Sequence, residues 1–258
     1  MGILEKMRLD GKKAFVTGGA RGIGKCLAAA LAEAGADIAI VDMDIAEAEK
    51  ACAEIRAANN NTMIAIKADI TKPADMDMMI GTILEKFGRL DAAFCNAGIT
   101  NECAVEDDTW DDWRKIIEVN LNGTFLSAQA AGKVMLKQGS GSIVLTGSMS
   151  GCIINVPQRE ASYAVSKAGV IHMAKAMAIE WAARGVRVNC ISPGYMATEM
   201  TLNTPSLAPL IGQWNELSPM HRMGTPEELQ SIAVYLAGDT SSFTTGANFL
   251  IDGAYTCF

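Results

Sequence analysis

Short apolar runs alternate with longer amphipathic segments along most of the chain. Runs of about four to eight apolar and β-branched residues indicate buried strands, whereas apolar positions three or four residues apart indicate helices. Their alternation is typical of βα units, which build a parallel sheet with helices on both faces. We predict an α/β fold with a doubly wound, seven-stranded parallel sheet. Its strands are expected at Lys13–Thr17, Asp37–Val41, Met63–Lys67, Asp91–Cys95, Ser142–Thr146, Arg187–Ile191 and Ala247–Ile251.

The first long helix is predicted over Gly22–Ala34. Ile23 and Leu27 fall on its apolar face, and Gly35 supplies the stop signal. No linker rich in proline, glycine or serine and no change of composition divides the chain. We therefore expect a single domain over residues 1–258.

Two segments interrupt the alternation of strands and helices. Residues 153–162 form a polar loop, and residues 195–224 contain three prolines. Insertions that follow the carboxyl ends of strands hold the ligands of open α/β sheets. We expect the second segment to be a substrate loop or lid; the alternative is an ordinary surface connection.

Composition and charge exclude several kinds of protein. The 258 residues include 29 acidic and 22 basic ones, a net charge of −7, and no Lys/Arg cluster, so no nucleic-acid partner is expected. No apolar run approaches the roughly 20 residues of a membrane span, and Met1–Asp10 does not have the pattern of a signal peptide. We expect a cytoplasmic protein without a membrane partner.

The residue types that bind metals are scattered. The seven cysteines include no CxxC pair, and the two histidines, His172 and His221, are far apart in the sequence. Cysteines in apolar surroundings act as small buried hydrophobic residues in a reducing compartment. We therefore expect no metal site and no disulfide.

A glycine-rich turn links the first predicted strand to the first long helix. Its glycines follow a G-x-x-x-G-x-G spacing that ends at Gly24, where backbone N–H groups and the helix dipole can bind a pyrophosphate. Asp42, 18 residues further on, can accept hydrogen bonds from a ribose and would repel a 2′-phosphate. This favours NAD, although Arg21 in the turn could bind the extra phosphate of NADP.

Tyr163 and Lys167 are four residues apart and fall on one face of a predicted helix. A phenol with a reference pKa of about 10 is a poor proton carrier at neutral pH, and a nearby cation lowers that pKa. The hydroxyls of Ser148 and Ser150 come just before this helix, at the end of a predicted strand. The Tyr163–Lys167 pair and the serine hydroxyls before it together favour a proton-transfer site. The alternative is a pair of solvent-exposed side chains on one helix face.

A longer set of residues resembles the short-chain dehydrogenase/reductase family over nearly the whole chain. In the order of the family, the sequence contains Thr17–Gly24, Asn96-Ala97-Gly98, Asn120, Ser148, Tyr163 with Lys167, and Pro193-Gly194. The resemblance implies a Rossmann-type fold and an oxidoreductase that transfers a hydride between a nicotinamide cofactor and a secondary alcohol or ketone. One departure is Cys95, where the family usually has an asparagine; we expect it to affect local hydrogen bonds more than chemistry.

The resemblance also implies the roles of the catalytic residues. Tyr163 is the general acid/base, Lys167 lowers its pKa and holds the nicotinamide ribose, and Asn120 supports a proton-relay water. The serine that positions the substrate oxygen has two candidates, Ser150, at the frequent spacing of 13 residues before the tyrosine, and Ser148, 15 residues before it. Alignment of the strand end favours Ser148, because insertions are tolerated better in loops than in strands.

The cofactor contacts follow from the same resemblance. Thr198 matches a hydroxyl that binds the nicotinamide carboxamide, and Asp69 matches an acid that contacts the adenine. Asp69 could equally cap the helix that begins near Pro73. The full set of expected contacts is Gly18, Arg21, Gly22, Ile23, Gly24, Asp42, Asp69, Ile70, Asn96, Ala97, Gly98, Tyr163, Lys167, Pro193, Gly194 and Thr198.

The stretches 147–158 and 193–200 are similar to those of family members that oxidise galactitol, sorbitol, arabinitol or mannitol. A polyol needs several hydrogen-bonding side chains, and a site built for hydroxyls rejects substrates that lack them. The expected substrate contacts are Ser148, Ser150, Asn155, Gln158 and Tyr163, with Arg159 and Glu160 as further candidates.

Other functions stay open at this point. Met149, Met196, Met200 and Trp214 could line an apolar pocket for a 3-oxoacyl chain, a steroid or an aromatic ketone. A protein of a different class, a sensor that binds NAD(H) without catalysis, could share the fold. Such a sensor could lose the tyrosine or the lysine, and this chain retains both.

The C-terminal stretch 249–258 is apolar and ends in Tyr255, Cys257 and Phe258. An apolar terminus of this kind is expected to be buried in an interface. Members of the resembled family are usually tetramers, so we expect a homotetramer.

Overall fold

The computed structural model describes residues 2–204 and 207–257, and contains one sheet in which seven parallel strands are ordered β3-β2-β1-β4-β5-β6-β7. The strands are β1 (Lys13–Thr17), β2 (Asp37–Asp42), β3 (Met63–Lys67), β4 (Ala92–Cys95), β5 (Gly141–Thr146), β6 (Val186–Pro193) and β7 (Asn248–Ile251). The predicted doubly wound α/β fold is confirmed. Phe258, part of the predicted C-terminal interface, lies outside the described residues, as does Pro205 of the predicted lid.

The observed strands match the predicted ones within about two residues at each end. The largest difference is β6, which extends to Pro193 because it pairs with β7 as far as the register Pro193↔Ile251. Proline has no backbone N–H to donate, so it is tolerated in a strand only where the neighbouring strand needs no donor at that position. This extension brings Pro193 and Gly194 to the edge of the sheet where the other strands end.

The helices cover both faces of the sheet. Met79, Ile83 and Met135 pack on one face together with Phe15 of β1, whereas Leu27 packs on the other. The helices are α1 (Ile3–Lys6), α2 (Gly22–Glu33), α3 (Ile45–Ala58), α4 (Pro73–Phe87), α5 (Trp110–Ile117), α6 (Thr124–Gln138), α7 (Ala161–Trp181), α8 (Glu199–Asn203), α9 (Ala208–Leu217) and α10 (Gln230–Ala237). A π-helical turn (Glu118–Gly123) joins α5 to α6.

The segment between β6 and α10 is more ordered than the predicted loop, because it contains α8 and α9. Its two ends are joined by backbone hydrogen bonds, from Ala197 N to the Gly224 carbonyl at 2.8 Å and from Gly224 N to the Tyr195 carbonyl at 2.9 Å. These bonds close the base of the segment. We call residues 195–224 the lid.

None of the helices in the described ranges is both long and apolar enough to cross a membrane.

Candidate active site

The strand order reverses between β1 and β4, and the crevice at this point is where open α/β sheets bind ligands. The Thr17 hydroxyl accepts hydrogen bonds from the backbone N–H groups of Asn96, at 3.0 Å, and Ala97, at 3.2 Å. The Asn96 side chain donates to the Thr17 carbonyl at 3.2 Å and accepts from the Thr146 hydroxyl at 3.3 Å. These bonds tie the carboxyl ends of β1, β4 and β5 into one rigid floor.

The glycine-rich turn leaves an open cradle beside this floor. Gly18 and Gly22 have φ values of 62° and 52°, a region that favours glycine. A Cβ at Gly24 would lie 2.1 Å from the Gly18 carbonyl oxygen, so only glycine permits this tight passage into α2. At Gly22 the nearest atom to such a Cβ is Thr198 Cγ2 of the lid, at 3.9 Å.

The start of α2 beside this turn has the features of an anion site. Arg21, the residue before α2, places no side-chain cap on the N–H groups of the first turn, and those groups are free to bind an anion. The backbone at Gly194 packs closely against Asp252. A Cβ added at Gly194 would lie 2.7 Å from Asp252 Cα, so a larger residue would not fit without a shift. Ile23 is half-buried at the start of α2.

Acidic residues surround the end of β2. The Asp42 carboxylate accepts hydrogen bonds from the backbone N–H of Ala20 at 3.2 Å and of Asp44 at 3.1 Å, which fixes it next to the glycine turn. Arg21 forms ion pairs with Asp44, at 2.6 Å, and with Glu47, at 3.5 Å. The charge of Arg21 is thus already balanced by two carboxylates.

Lys167 is buried in α7 beside Tyr163. Only 4% of its surface is exposed, and its Nζ donates to the Thr146 carbonyl at 2.8 Å. The same Nζ lies 5.6 Å from the centroid of the Tyr163 ring. The predicted helical pairing of the two side chains is therefore present, and it is fixed by the end of β5.

The pKa values of this pair move toward the neutral forms. Burial raises the pKa of Tyr163 to about 12, an effect that the Ser148 hydroxyl reduces and the Glu160 charge increases. Burial lowers the pKa of Lys167 to about 8. We expected the lysine to lower the pKa of the phenol. In this structure the largest effect on that pKa is burial, which raises it. Lys167 donates its hydrogen bond to the Thr146 carbonyl.

The two serines form a chain that leads away from Tyr163. Ser148 lies beside the phenol, and its hydroxyl donates to the Ser150 hydroxyl at 3.1 Å. The Ser150 hydroxyl donates in turn to Glu160 Oε1 at 3.1 Å. Ser148 is therefore the serine next to the tyrosine, and Ser150 lies one step further into the pocket.

Asn120 is fully buried in the π-helical turn. Its side chain accepts from the backbone N–H of Ile99 and donates to the Ile99 carbonyl, both at 2.8 Å. A Cβ at Gly98 would lie 3.2 Å from Asn120 Oδ1 and 3.5 Å from Lys167 Nζ. Asn120 thus holds the turn after β4 against the lysine, and π-helical turns of this kind are frequent at functional sites.

Three of the expected cofactor residues make local contacts. Asp69 accepts hydrogen bonds from the backbone N–H and the hydroxyl of Thr71, at 3.0 and 2.7 Å, and the hydroxyl bond is the main reason why its pKa is lowered. These bonds close a turn before α4 and do not cap the helix, whose N-cap residue, Lys72, makes no side-chain capping hydrogen bond, so the capping alternative is wrong. Ile70 is buried, and its side chain faces Gly123 of the π-helical turn. Thr198 caps α8 by accepting from Thr201 N at 3.2 Å.

The substrate side contains a cluster that sequence reasoning found only in part. Asn155 and Gln158 were expected, but Tyr195 and the contact with Trp214 were not. Gln158 Oε1 accepts from the Tyr195 hydroxyl at 2.6 Å and from Trp214 Nε1 at 3.1 Å, and the two rings stack with centroids 4.2 Å apart. The lid is thereby attached to the loop that precedes Tyr163.

Comparisons with known proteins show what the whole chain is similar to. A family model described as enoyl-(acyl carrier protein) reductase matches residues 18–256. The chain is 41% identical to a galactitol 2-dehydrogenase of Rhizobium johnstonii, over 100% of both chains. It is 40% identical to a probable NADP-dependent mannitol dehydrogenase of Yarrowia lipolytica, over 99% of this chain and 91% of the relative. A solved short-chain type dehydrogenase/reductase from Mycobacterium marinum superimposes with a TM-score of 0.96 at 41% identity, over 100% of both chains.

Proposed function

The chain belongs to the short-chain dehydrogenase/reductase family, and we propose that it is an NAD-dependent dehydrogenase that interconverts a sugar alcohol and its ketose. The observation that carries this proposal is the polar substrate side of the site, where Ser148, Ser150, Asn155 and Glu160 are linked by hydrogen bonds beside Tyr163. Hydroxyl-rich substrates need such partners, and apolar substrates do not.

Tyr163 is the group that exchanges the proton of the reacting hydroxyl. As a phenol it donates to the oxygen of a ketose, and as a phenolate it takes the proton of a polyol. Ser148, next to the phenol, positions that oxygen. A bound nicotinamide supplies or accepts the hydride at the neighbouring carbon. Lys167 holds a positive charge near the phenol and would contact the nicotinamide ribose. Asn120 braces the turn that faces the lysine.

The residues that would hold the cofactor surround the cradle described above. The glycine turn would hold the pyrophosphate, and Asn96, Ala97 and Gly98 would border the ribose of the nicotinamide. Pro193, Gly194 and Thr198 would contact the nicotinamide itself. The local hydrogen bonds of Asp69 and the burial of Ile70 leave mainly backbone atoms at these positions to approach the adenine.

The acidic end of β2 supports NAD rather than NADP. Asp42, Asp44 and Glu47 lie where a 2′-phosphate would enter, and Arg21 is already paired with two of them. Several relatives are named as NADP-dependent enzymes, so their names do not favour NAD. The proposal of NAD therefore rests on these residues of this chain.

The apolar residues near the site give little support to an acyl, steroid or aromatic substrate. Met149, Met196 and Trp214 are all buried, with Trp214 only 3% exposed and stacked on Tyr195. Met196 and Trp214 border a cavity of about 100 Å³, which is smaller than the roughly 300 to 1,000 Å³ of ordinary ligand pockets. The side chain of Met200 lies outside the described residues.

We also propose a homotetramer. Leu250 of the terminal strand β7 is 41% exposed although its neighbours in the sequence are apolar, and β7 forms an edge of the sheet. A second copy could cover this edge. Light scattering coupled to gel filtration measures the mass directly, and a monomer would contradict the proposal.

The proposed function is tested by a panel of four- to six-carbon polyols and ketoses, each assayed with NAD and with NADP. We expect NAD reduction with at least one polyol and a lower kcat/KM with NADP. Turnover only of acyl, steroid or aromatic carbonyl compounds would contradict the proposal. Binding of NADH without turnover of any alcohol or ketone would identify the protein as a sensor.

A further inference from the structure

Glu160 is a carboxylate on the substrate side of the site with no basic partner in the described part of the chain. It directly precedes α7 and is half-buried. Its Oε1 accepts hydrogen bonds from the Ser150 hydroxyl at 3.1 Å and from Asn155 Nδ2 at 3.3 Å. Burial raises its pKa, the hydrogen bond from Ser150 lowers it, and the charge of another acid, Glu102, raises it further. A carboxylate kept here without a cation is costly for folding, which indicates a role in binding.

A second acceptor in the same cluster has no partner. Asn155 is 4% exposed, and its Nδ2 donates to the Ser150 hydroxyl at 2.9 Å. Its Oδ1 is buried and accepts no hydrogen bond from any described residue. Buried acceptors are nearly always satisfied in folded proteins, so an unsatisfied one beside an active site points to a ligand donor.

The two acceptors lie between the reacting phenol and the lid. Ser150 connects Glu160 to Ser148, the serine next to Tyr163. The Glu160 charge raises the pKa of Tyr163 and also that of Tyr195 in the lid. A substrate whose reacting oxygen contacts Tyr163 and Ser148 would therefore extend its next carbons past this cluster.

We propose that Glu160 and Asn155 accept hydrogen bonds from the hydroxyls next to the reacting carbon, and that Glu160 makes the site selective for uncharged polyols over sugar-acid anions. The proposal rests on the proposed polyol activity and deepens it. Polyol hydroxyls supply the donors that the two acceptors lack. An aldonate would bring its own carboxylate toward those of Glu160 and Glu102. Like charges in a partly buried site repel strongly.

The test is Glu160→Gln, which keeps the shape of the side chain and removes its charge. We expect kcat/KM for the best six-carbon polyol to fall roughly 10- to 100-fold, mainly through KM, because a hydrogen bond to a charged group is lost. For a secondary alcohol without further hydroxyls, KM should not rise, and a change in its kcat reports the loss of the Glu160 charge near Tyr163. Gluconate, tested as a competitive inhibitor, should bind the variant more tightly than the wild type.

Two further variants complete the test. Glu102→Gln removes an exposed charge nearby and should leave polyol KM unchanged. This control distinguishes direct contact of Glu160 with the substrate from a general effect of negative charge near the site. Glu160→Asp keeps the charge but shortens the side chain, so it should raise polyol KM without improving gluconate binding; it also serves if Glu160→Gln does not fold. Thermal melting monitors folding in each case.

The outcomes separate this proposal from the broader one. If the wild type oxidises polyols but Glu160→Gln has unchanged polyol KM and unchanged gluconate inhibition, only the assignment of Glu160 is overturned. An equal rise in KM for the polyol and for the simple alcohol would also overturn it, because Glu160 would then not act on the extra hydroxyls. If the wild type oxidises no polyol, both proposals fail.

Discussion

The ammonium of Lys167 donates to the Thr146 carbonyl at 2.8 Å while it lies 5.6 Å from the Tyr163 ring. The lysine is thus held by the end of β5, so its position does not depend on the tyrosine. The cost of this arrangement is a cation in a buried site, which lowers the pKa of Lys167 to about 8.

This burial predicts an effect on stability that depends on pH. The pKa of Lys167 is about 8 in the folded protein and 10.5 for an ordinary lysine, which represents the unfolded chain. As pH rises from 8 to 10.5, the folded protein loses this proton before the unfolded chain does, so the wild type gains stability. Lys167→Met lacks this gain. The free energy of unfolding of the variant relative to wild type should therefore fall by roughly 2 to 3 kcal/mol between pH 7 and pH 10.

Denaturant unfolding at several pH values measures this difference. Lys175→Met is the matched control, since Lys175 is exposed on the same helix, and its relative stability should not change with pH. A pH-independent difference for Lys167→Met would show that the native lysine titrates like the unfolded one.

The acidic end of β2 predicts cofactor preference. Asp42→Ser removes the carboxylate nearest the glycine turn and should raise the ratio of kcat/KM for NADP to that for NAD by roughly 10- to 100-fold. Steady-state kinetics with both cofactors measure the ratio. The control is Asp77→Ser, an exposed acid on α4. An unchanged ratio for Asp42→Ser would contradict the assignment of Asp42 to the ribose.

The two serines are distinguished by comparing Ser148→Ala with Ser150→Ala. Ser148 lies beside the phenol, so its loss should lower kcat by roughly 100-fold or more. Ser150 bonds to Glu160 and Asn155, and its loss should act mainly on KM. A larger loss of kcat in Ser150→Ala would show that Ser150 is the serine that positions the reacting oxygen.

Gln158 links the lid to the loop that precedes Tyr163. Gln158→Leu leaves the Tyr195 hydroxyl and Trp214 Nε1 without their acceptor, so the lid should open more often and polyol KM should rise. Hydrogen exchange of residues 208–217 should become faster, whereas Ile154→Ala, an exposed change in the same loop, should leave it unaltered. Unchanged exchange in Gln158→Leu would contradict the role of Gln158 in holding the lid.

Much of the fold was predictable because its signals are local. Strand positions followed from short apolar runs, and the glycine turn followed from its spacing next to β1. The helical spacing of Tyr163 and Lys167 likewise placed them side by side, as the structure shows.

The remaining features depend on contacts between distant parts of the chain. Trp214 reaches Gln158 across 56 residues, and no periodicity encodes that bond. The direction of the Tyr163 pKa shift depends on how deeply β5 and α7 enclose the pair, which the four-residue spacing does not reveal. The π-helical turn around Asn120 also has no local sequence signal.

The most direct test of the central claim is NAD reduction by wild type and by Tyr163→Phe with the best polyol of the panel, together with NADH binding measured by fluorescence. The substitution removes only the hydroxyl, so the account predicts that kcat falls by roughly 100- to 10,000-fold while the Kd for NADH changes less than about threefold. A variant that retains most of its kcat, or that loses NADH binding in proportion to kcat, would contradict the role of Tyr163 as the proton carrier.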